Sequence, residues 1–403
     1  MLNPWRGLGG LPREVWLICA STLVNRLGTM ALPFLVLYLT QGRGWSLQAA
    51  GGAMVAYGLG ALVTSPFSGR LSDRVGHLRM MKVGLWGSGL ALMVLPLVRT
   101  RPLLHGLIFL WAAFSQAFWP SSLALLAEIV DPARRKAVYS LHRLVVNLGM
   151  SVGPAMGGLI SHRSYAPVFW VDGITSGVSA LLLGVLLAAP AVPAGPRTPR
   201  TPVPRSGGGA WRDLRLMHLL SGFFLVLLVA TQIEGVLPLW VVREMRFGNP
   251  FFGFLFTVNT LLIVALEVPL NLRMAHWSHA PQMLVGALCY AAGFGLMGWA
   301  TTRGLLVGTL VIWTFGEMIL FPAVSDAVAS LAPRDRIGEY MGLYSATFAA
   351  GFTLGPWLGV LAYAQIGAPW LWLGGGLCAA MGGCALWRFR GPAHRPAGPS
   401  SPR

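Results

Sequence analysis

Twelve runs of mostly apolar residues, at approximately 14–40, 47–69, 80–99, 103–128, 138–161, 166–190, 213–241, 251–274, 281–301, 304–330, 338–363 and 369–388, decide what this chain can become. About 20 apolar residues carry a helix across roughly 30 Å of hydrocarbon. A lipid-embedded backbone must pair its own N–H and C=O groups, and a helix does so within one segment. The fold expected is therefore an all-α integral membrane protein of twelve transmembrane helices. Charged residues make up 11% of the sequence and the mean hydropathy is +0.64, against roughly a quarter charged in a soluble globule. The 403 residues leave no room for a large soluble domain beside twelve spans.

One long polar break, 191–212, is rich in Pro, Gly and Arg and reads as a flexible linker. It divides the chain into an N-terminal six-helix bundle at 1–190 and a C-terminal one at 213–390, followed by a flexible tail at 391–403. The formal charge of +17 would point to nucleic acid in a soluble protein. Here the cations lie in short segments between spans, where they set orientation. With the N-terminus inside, 21 Lys and Arg are cytoplasmic, seven external and two, Arg26 and Arg143, within spans. Both termini are expected in the cytoplasm of a plasma (inner) membrane protein. The first apolar run, Val15 to Leu39, is too long for a cleavable signal and reads as a retained span. Cys19, Cys289, Cys378 and Cys384 are unclustered inside apolar runs, which points to packing and to neither a disulfide framework nor a metal site.

The two halves echo each other. Pro120 and Gly153-Pro154 in spans 4 and 5 are matched by Pro322 and Gly355-Pro356 in spans 10 and 11, with 34 residues between the prolines in each half. Leu32-Pro33 in span 1 is matched by Leu237-Pro238 in span 7. Two pseudo-symmetric six-helix bundles are expected to place a substrate site at their interface, with access alternating as one rocks against the other.

Between spans 2 and 3 stands Gly69-Arg70-Leu71-Ser72-Asp73-Arg74-Val75-Gly76-His77-Leu78-Arg79. It resembles the signature loop of the major facilitator superfamily, with His77 and Leu78 where basic residues are usual. The resemblance assigns Gly69, Asp73, Arg74, Gly76 and Arg79 to conformational control. In span 5, Gly149-x-x-x-Gly153-Pro154-x-x-Gly157-Gly158 resembles the motif that marks the antiporters of this superfamily, especially drug exporters. Small residues there let helices approach closely, and the proline removes a backbone donor. An arginine that many drug antiporters carry in span 4 is missing: its position is Ile108. Arg26, nearly halfway across span 1, is the cation at depth that needs a partner.

The acids within spans are few. Glu234 and Glu317 sit in Gln232-Ile233-Glu234-Gly235-Val236-Leu237-Pro238 and Thr314-Phe315-Gly316-Glu317-Met318-Ile319-Leu320-Phe321-Pro322, which resemble segments of multidrug:proton antiporters whose acids take part in cation recognition and proton coupling. Glu267, Asp326 and His142, the last standing where some relatives have an acid, complete the candidates for proton coupling. A carboxylate in a dry cavity can bind a proton or a cationic ligand, and the two compete. Asn25, Arg26, Tyr38, Gln116, Trp119, Gln232, Trp240 and Trp313 are the candidates for the substrate cavity, since aromatic walls with an acid suit amphipathic cations.

No nucleotide loop, metal cluster or nucleophile triad is present, so no enzyme and no cofactor is expected. The expected activity is proton-coupled export of amphipathic or cationic small molecules by a monomer in the lipid bilayer, without nucleic acid. The alternative is a carrier of the same fold for a nutrient, peptide or lipid-like metabolite, working by symport. The orientation has a direct check. Cysteines placed at Ser206 and Ser400 should react with membrane-impermeant thiol reagents in inverted vesicles only, and labelling of either in intact cells reverses the assignment.

Overall fold

The computed structural model describes residues 10–130, 134–186, 209–274, 276–333 and 336–389, all helix, turn and short connection with no strand among them. The tail, and 191–208 of the linker, lie outside the described residues. Eleven helical stretches are long and apolar enough to cross a bilayer. The last, Ile337–Trp387, has 51 residues, twice what one crossing needs, and turns at Gly367, whose φ of 77° is open to glycine alone at little cost. It therefore supplies spans 11 and 12, and the expected twelve-span, all-α fold is present.

The others are span 1 (Arg13–Gly42), span 2 (Leu47–Val75), span 3 (His77–Leu97), span 4 (Arg101–Ile129), span 5 (Arg135–Ser161), span 6 (Ala166–Leu186), span 7 (Leu214–Glu244), span 8 (Asn249–Met274), span 9 (His279–Trp299) and span 10 (Arg303–Leu331). Pro120, Pro154, Pro269 and Pro322 all lie inside helices, as membrane helices allow when neighbours satisfy the freed carbonyls.

Two spans are not continuous. Span 1 consists of Arg13–Gly28 and Ala31–Leu37, followed by a π-helical turn, Tyr38–Gly42. Span 7 repeats the design, with Leu214–Ala230, a tight turn at Thr231–Ile233, then Val236–Leu239 and a π-helical turn at Trp240–Glu244. Leu32-Pro33 and Leu237-Pro238 stand just after the two breaks, so the sequence echo marks interrupted helices. At the first break, Asp172 of span 6 accepts hydrogen bonds from the backbone N–H of Met30 (3.2 Å) and Ala31 (3.0 Å). It is a buried carboxylate seated on the positive end of a new helix. Arg26 stands in the last turn of the preceding piece, where a cation meets the negative end.

By packing, the chain groups into two compact units. One takes Met1–Thr198, Ile233–Val264 and Pro356–Ala364; the other takes Pro199–Gln232, Ala265–Gly355 and Gln365–Arg403. The first unit thus includes the ends of spans 7 and 11 and the start of span 8, packed on the N-terminal spans. Phe34 and Phe252 meet edge to face at 5.3 Å. Thr257 donates to the carbonyl of Ser151 at 2.6 Å and Asn249 donates to the Tyr165 hydroxyl at 3.2 Å. Gly253 is pressed on the carbonyl of Pro154. Spans 1, 5, 7 and 8 are closed together at this end.

Asp172→Ala should lower thermal stability in detergent by the equivalent of about 1–3 kcal/mol, the cost of stranding buried donors. Asp172→Asn, which keeps an acceptor oxygen, should recover most of it. An Ala variant that melts with the wild type contradicts the role of Asp172 at the break.

Candidate functional site

The break in span 1 brings polar groups together in the first unit. Arg26 lies within electrostatic range of Asp172 and of Tyr57 on span 2, and Tyr57 in turn of Glu234 at the break in span 7. The Arg26 guanidinium lies 5.8 Å from the centroid of Trp119 on span 4, within cation–π range. His142 of span 5 stacks obliquely on Trp119 at 5.2 Å, and its Nε2 lies 3.3 Å from the Thr22 hydroxyl. Asn25 donates to Ser176 at 3.1 Å, tying span 1 to span 6. Six spans therefore contribute to one polar cluster in an apolar interior.

Two atoms in this cluster are buried without a hydrogen-bond partner: Nε of Arg26 and Oε2 of Glu234. Buried polar atoms in folded proteins are nearly always paired, so these two stand out in the cluster. Trp119 remains 37% exposed while Tyr38, Trp240 and Trp313 are buried. Gln116, half-buried, lies one turn earlier on the same helix. Tyr38 is engaged elsewhere, accepting from Arg43 at 2.6 Å and packing on Phe169 at 4.7 Å.

The second unit holds the other acids. Glu317 is within electrostatic range of Tyr290. Glu267 of span 8 is buried, and Asn271, one turn on, donates to the carbonyls of Glu267 (2.8 Å) and Met318 (3.1 Å), joining spans 8 and 10. Trp313 packs between Tyr290 and Phe294, its Nε1 buried without an acceptor. Gln232 donates from Nε2 to the carbonyl of Leu228, one turn earlier in span 7, and to that of Gly355 in span 11, both at 2.7 Å, so it ties the break in span 7 to span 11.

The two Gly-Pro motifs serve these breaks. A Cβ on Gly149 would collide with Arg26, and one on Gly153 would lie 2.9 Å from the carbonyls of Arg26 and Thr29. Gly157 faces Met30 and Phe34 in the same way, and Pro154 follows Gly153 where span 5 crosses span 1. In the other half Gly351 faces Leu227 and Gly355 faces Thr231. Each motif is the smooth bed on which its own half's broken helix lies.

The signature segment differs from a loop. Span 2 stays helical through Val75, so Asp73 and Arg74 occupy its last turn, and the chain reverses at Gly76 alone, where φ is 99°. The surroundings of Gly69 and the side chain of Asp73 lie outside the described residues. His77 opens span 3, with Nδ1 2.7 Å from the Ser72 hydroxyl and Nε2 3.2 Å from Glu128 of span 4. His279, 202 residues later, opens span 9 and meets Asp326 of span 10 at 2.8 Å. The internal repeat therefore extends to spans 3 and 9, where it also equates Gly84 with Gly286, each pressed on the following span.

Comparison with known proteins agrees with this architecture. The family model of the Major Facilitator Superfamily matches residues 18–252 and 245–403. The chain belongs to that superfamily. A multidrug resistance protein, MdtH, of Aeromonas salmonicida is 26% identical over 89% of this chain and 90% of its own. A Na(+), Li(+), K(+)/H(+) antiporter of Planococcus maritimus is 21% identical over 89% and 92%. Among solved structures, a POT family transporter crystallised with a thioalcohol-conjugated peptide superposes with a TM-score of 0.79 at 17% identity, covering 94% of this chain and 96% of that one. That likeness fixes the major facilitator fold.

Within the superfamily fold, the groups that sequence reading missed are Thr22, Tyr57 and the capping role of Asp172. Asp172 had a signal, an acid in an apolar run, but the sequence does not say which backbone it faces. Tyr57 had none, since a lone tyrosine in a membrane helix reads as packing.

Proposed function

We propose that this major facilitator transporter exchanges protons for amphipathic or cationic compounds and exports them by alternating access, with six spans in 1–190 and six in 213–390 as its moving parts. Both termini and the linker are assigned to the cytoplasm of the inner membrane. The observation that carries the reading is the pair of unpartnered buried atoms, Arg26 Nε and Glu234 Oε2, in a cluster walled by the accessible ring of Trp119. Glu234 offers a cation a counter-charge in a dry setting, and the same carboxylate protonated has lost that charge. Proton and cationic substrate are then alternatives at one oxygen, which is the requirement for antiport. Arg26 lies within electrostatic range of Asp172 in the same cluster. Glu317, in the second unit, is assigned to proton transfer. The names carried by the relatives from Aeromonas and Planococcus support this class of activity.

Transport in proteoliposomes with an imposed pH gradient, using one cationic and one neutral compound, tests the assignment. Glu317→Gln should abolish accumulation against a gradient while sparing downhill exchange, since an amide cannot carry a proton. Glu234→Gln should weaken transport of the cation about ten-fold or more relative to the neutral compound, as expected for a lost charge-assisted contact of about 1.5–3 kcal/mol. Full gradient-driven transport by the double variant overturns the assignment. Movement of substrate with the proton, in the same direction, replaces antiport by symport.

A further inference from the structure

An open groove of about 610 Å³ runs along the outside of span 3, away from the polar cluster. Its floor exists because Gly87 has no side chain, and the ring of Phe114 from span 4 lies directly against that glycine. Trp86 forms one wall, braced near Gly177 of span 6, and Val83 and Leu90 continue the apolar lining at 49% and 65% exposure. At one end the lining changes character to Arg79 and Lys82, the latter with its stem against Gly184. Among the described residues neither cation forms an ion pair, and no acid is among the groove's lining residues.

We infer that this groove is a binding site for one anionic phospholipid, with the headgroup phosphate on Arg79 and Lys82 and an acyl chain along Val83, Trp86, Gly87 and Leu90. The dimensions fit a lipid standing in one leaflet. From Arg79 to Leu90 is eleven residues of helix, about 16 Å at 1.5 Å per residue, and one leaflet of a roughly 30 Å core is about 15 Å deep. The cations lie in the first two turns of span 3, at the membrane edge, and the apolar end reaches the bilayer centre. A soluble anion would use the cations and leave the dry part of the groove empty. A neutral lipid would use the groove and leave two unneutralised cations. An anionic lipid satisfies both, and residues three apart on a helix share a face, so both cations reach one phosphate.

Delipidated protein in detergent, titrated with phosphatidylglycerol or phosphatidylcholine carrying brominated acyl chains, reads the site through quenching of tryptophan fluorescence. Subtracting the Trp86→Phe variant isolates the signal of the groove. Phosphatidylglycerol should bind about twenty- to thirty-fold more tightly than phosphatidylcholine, the product of two membrane-surface cations. Arg79→Gln with Lys82→Gln should reduce that preference to about two-fold or less, while Arg79→Lys keeps it and shows that the fold survives changes there. Equal affinity for the two lipids in the wild type, or a preference unchanged in the double Gln variant, overturns the inference. Loss of the preference on adding inorganic phosphate at constant ionic strength would also overturn it, since the cations would then form a site for free anions.

Discussion

A helix that breaks inside a membrane must find partners for the backbone groups it releases, because no water is there to take them. The rest of this structure depends on how two such breaks are satisfied. In span 1 the carboxylate of Asp172 takes the N–H groups of Met30 and Ala31, and at the break in span 7 the amide of Gln232 takes the carbonyl of Leu228 and reaches across to that of Gly355 in span 11. Glycines on spans 5 and 11 supply the flat surfaces against which the broken helices lie. The symmetry of the chain is thus a symmetry of scaffolding. The chemistry placed on it differs, with a cation preceding the break in span 1 and an acid within the break in span 7.

That asymmetry is what the proposed exchange of proton for cation rests on. The helix pieces place Arg26 and Glu234 each within electrostatic range of one tyrosine, Tyr57. Polar contacts at the end where spans 1, 5, 7 and 8 meet include Thr257 to Ser151 and Asn249 to Tyr165.

Much of this was legible in the sequence. Run lengths announced twelve spans, and the Gly-Pro echo located the two crossings on which the breaks rest. Leu32-Pro33 and Leu237-Pro238 were visible as a repeat but not as interruptions, since proline inside spans 4, 5, 8 and 10 leaves those helices whole. Whether proline breaks a membrane helix depends on whether a neighbour can take the freed groups, and that is tertiary information. The same holds for the polar cluster. Arg26 and Glu234 were conspicuous as charges in apolar runs, whereas Tyr57 and Asp172 acquire meaning only once spans 2 and 6 are placed beside span 1. His77 stood out as a departure from the usual basic residue; its counterpart His279 became visible only when both were seen opening a span beside an acid.

The central claim is that substrate and proton compete for Glu234 in the cluster around Arg26. Proton release on substrate binding measures it most directly, in weakly buffered detergent solution with a pH-sensitive dye, at a pH where the apo protein is protonated. The account predicts that a cationic substrate releases protons from the wild type and that Glu234→Gln, with binding still detectable, releases none from this site. Release of undiminished size from Glu234→Gln, or binding of the cation to the wild type with no proton released at any pH, would contradict it.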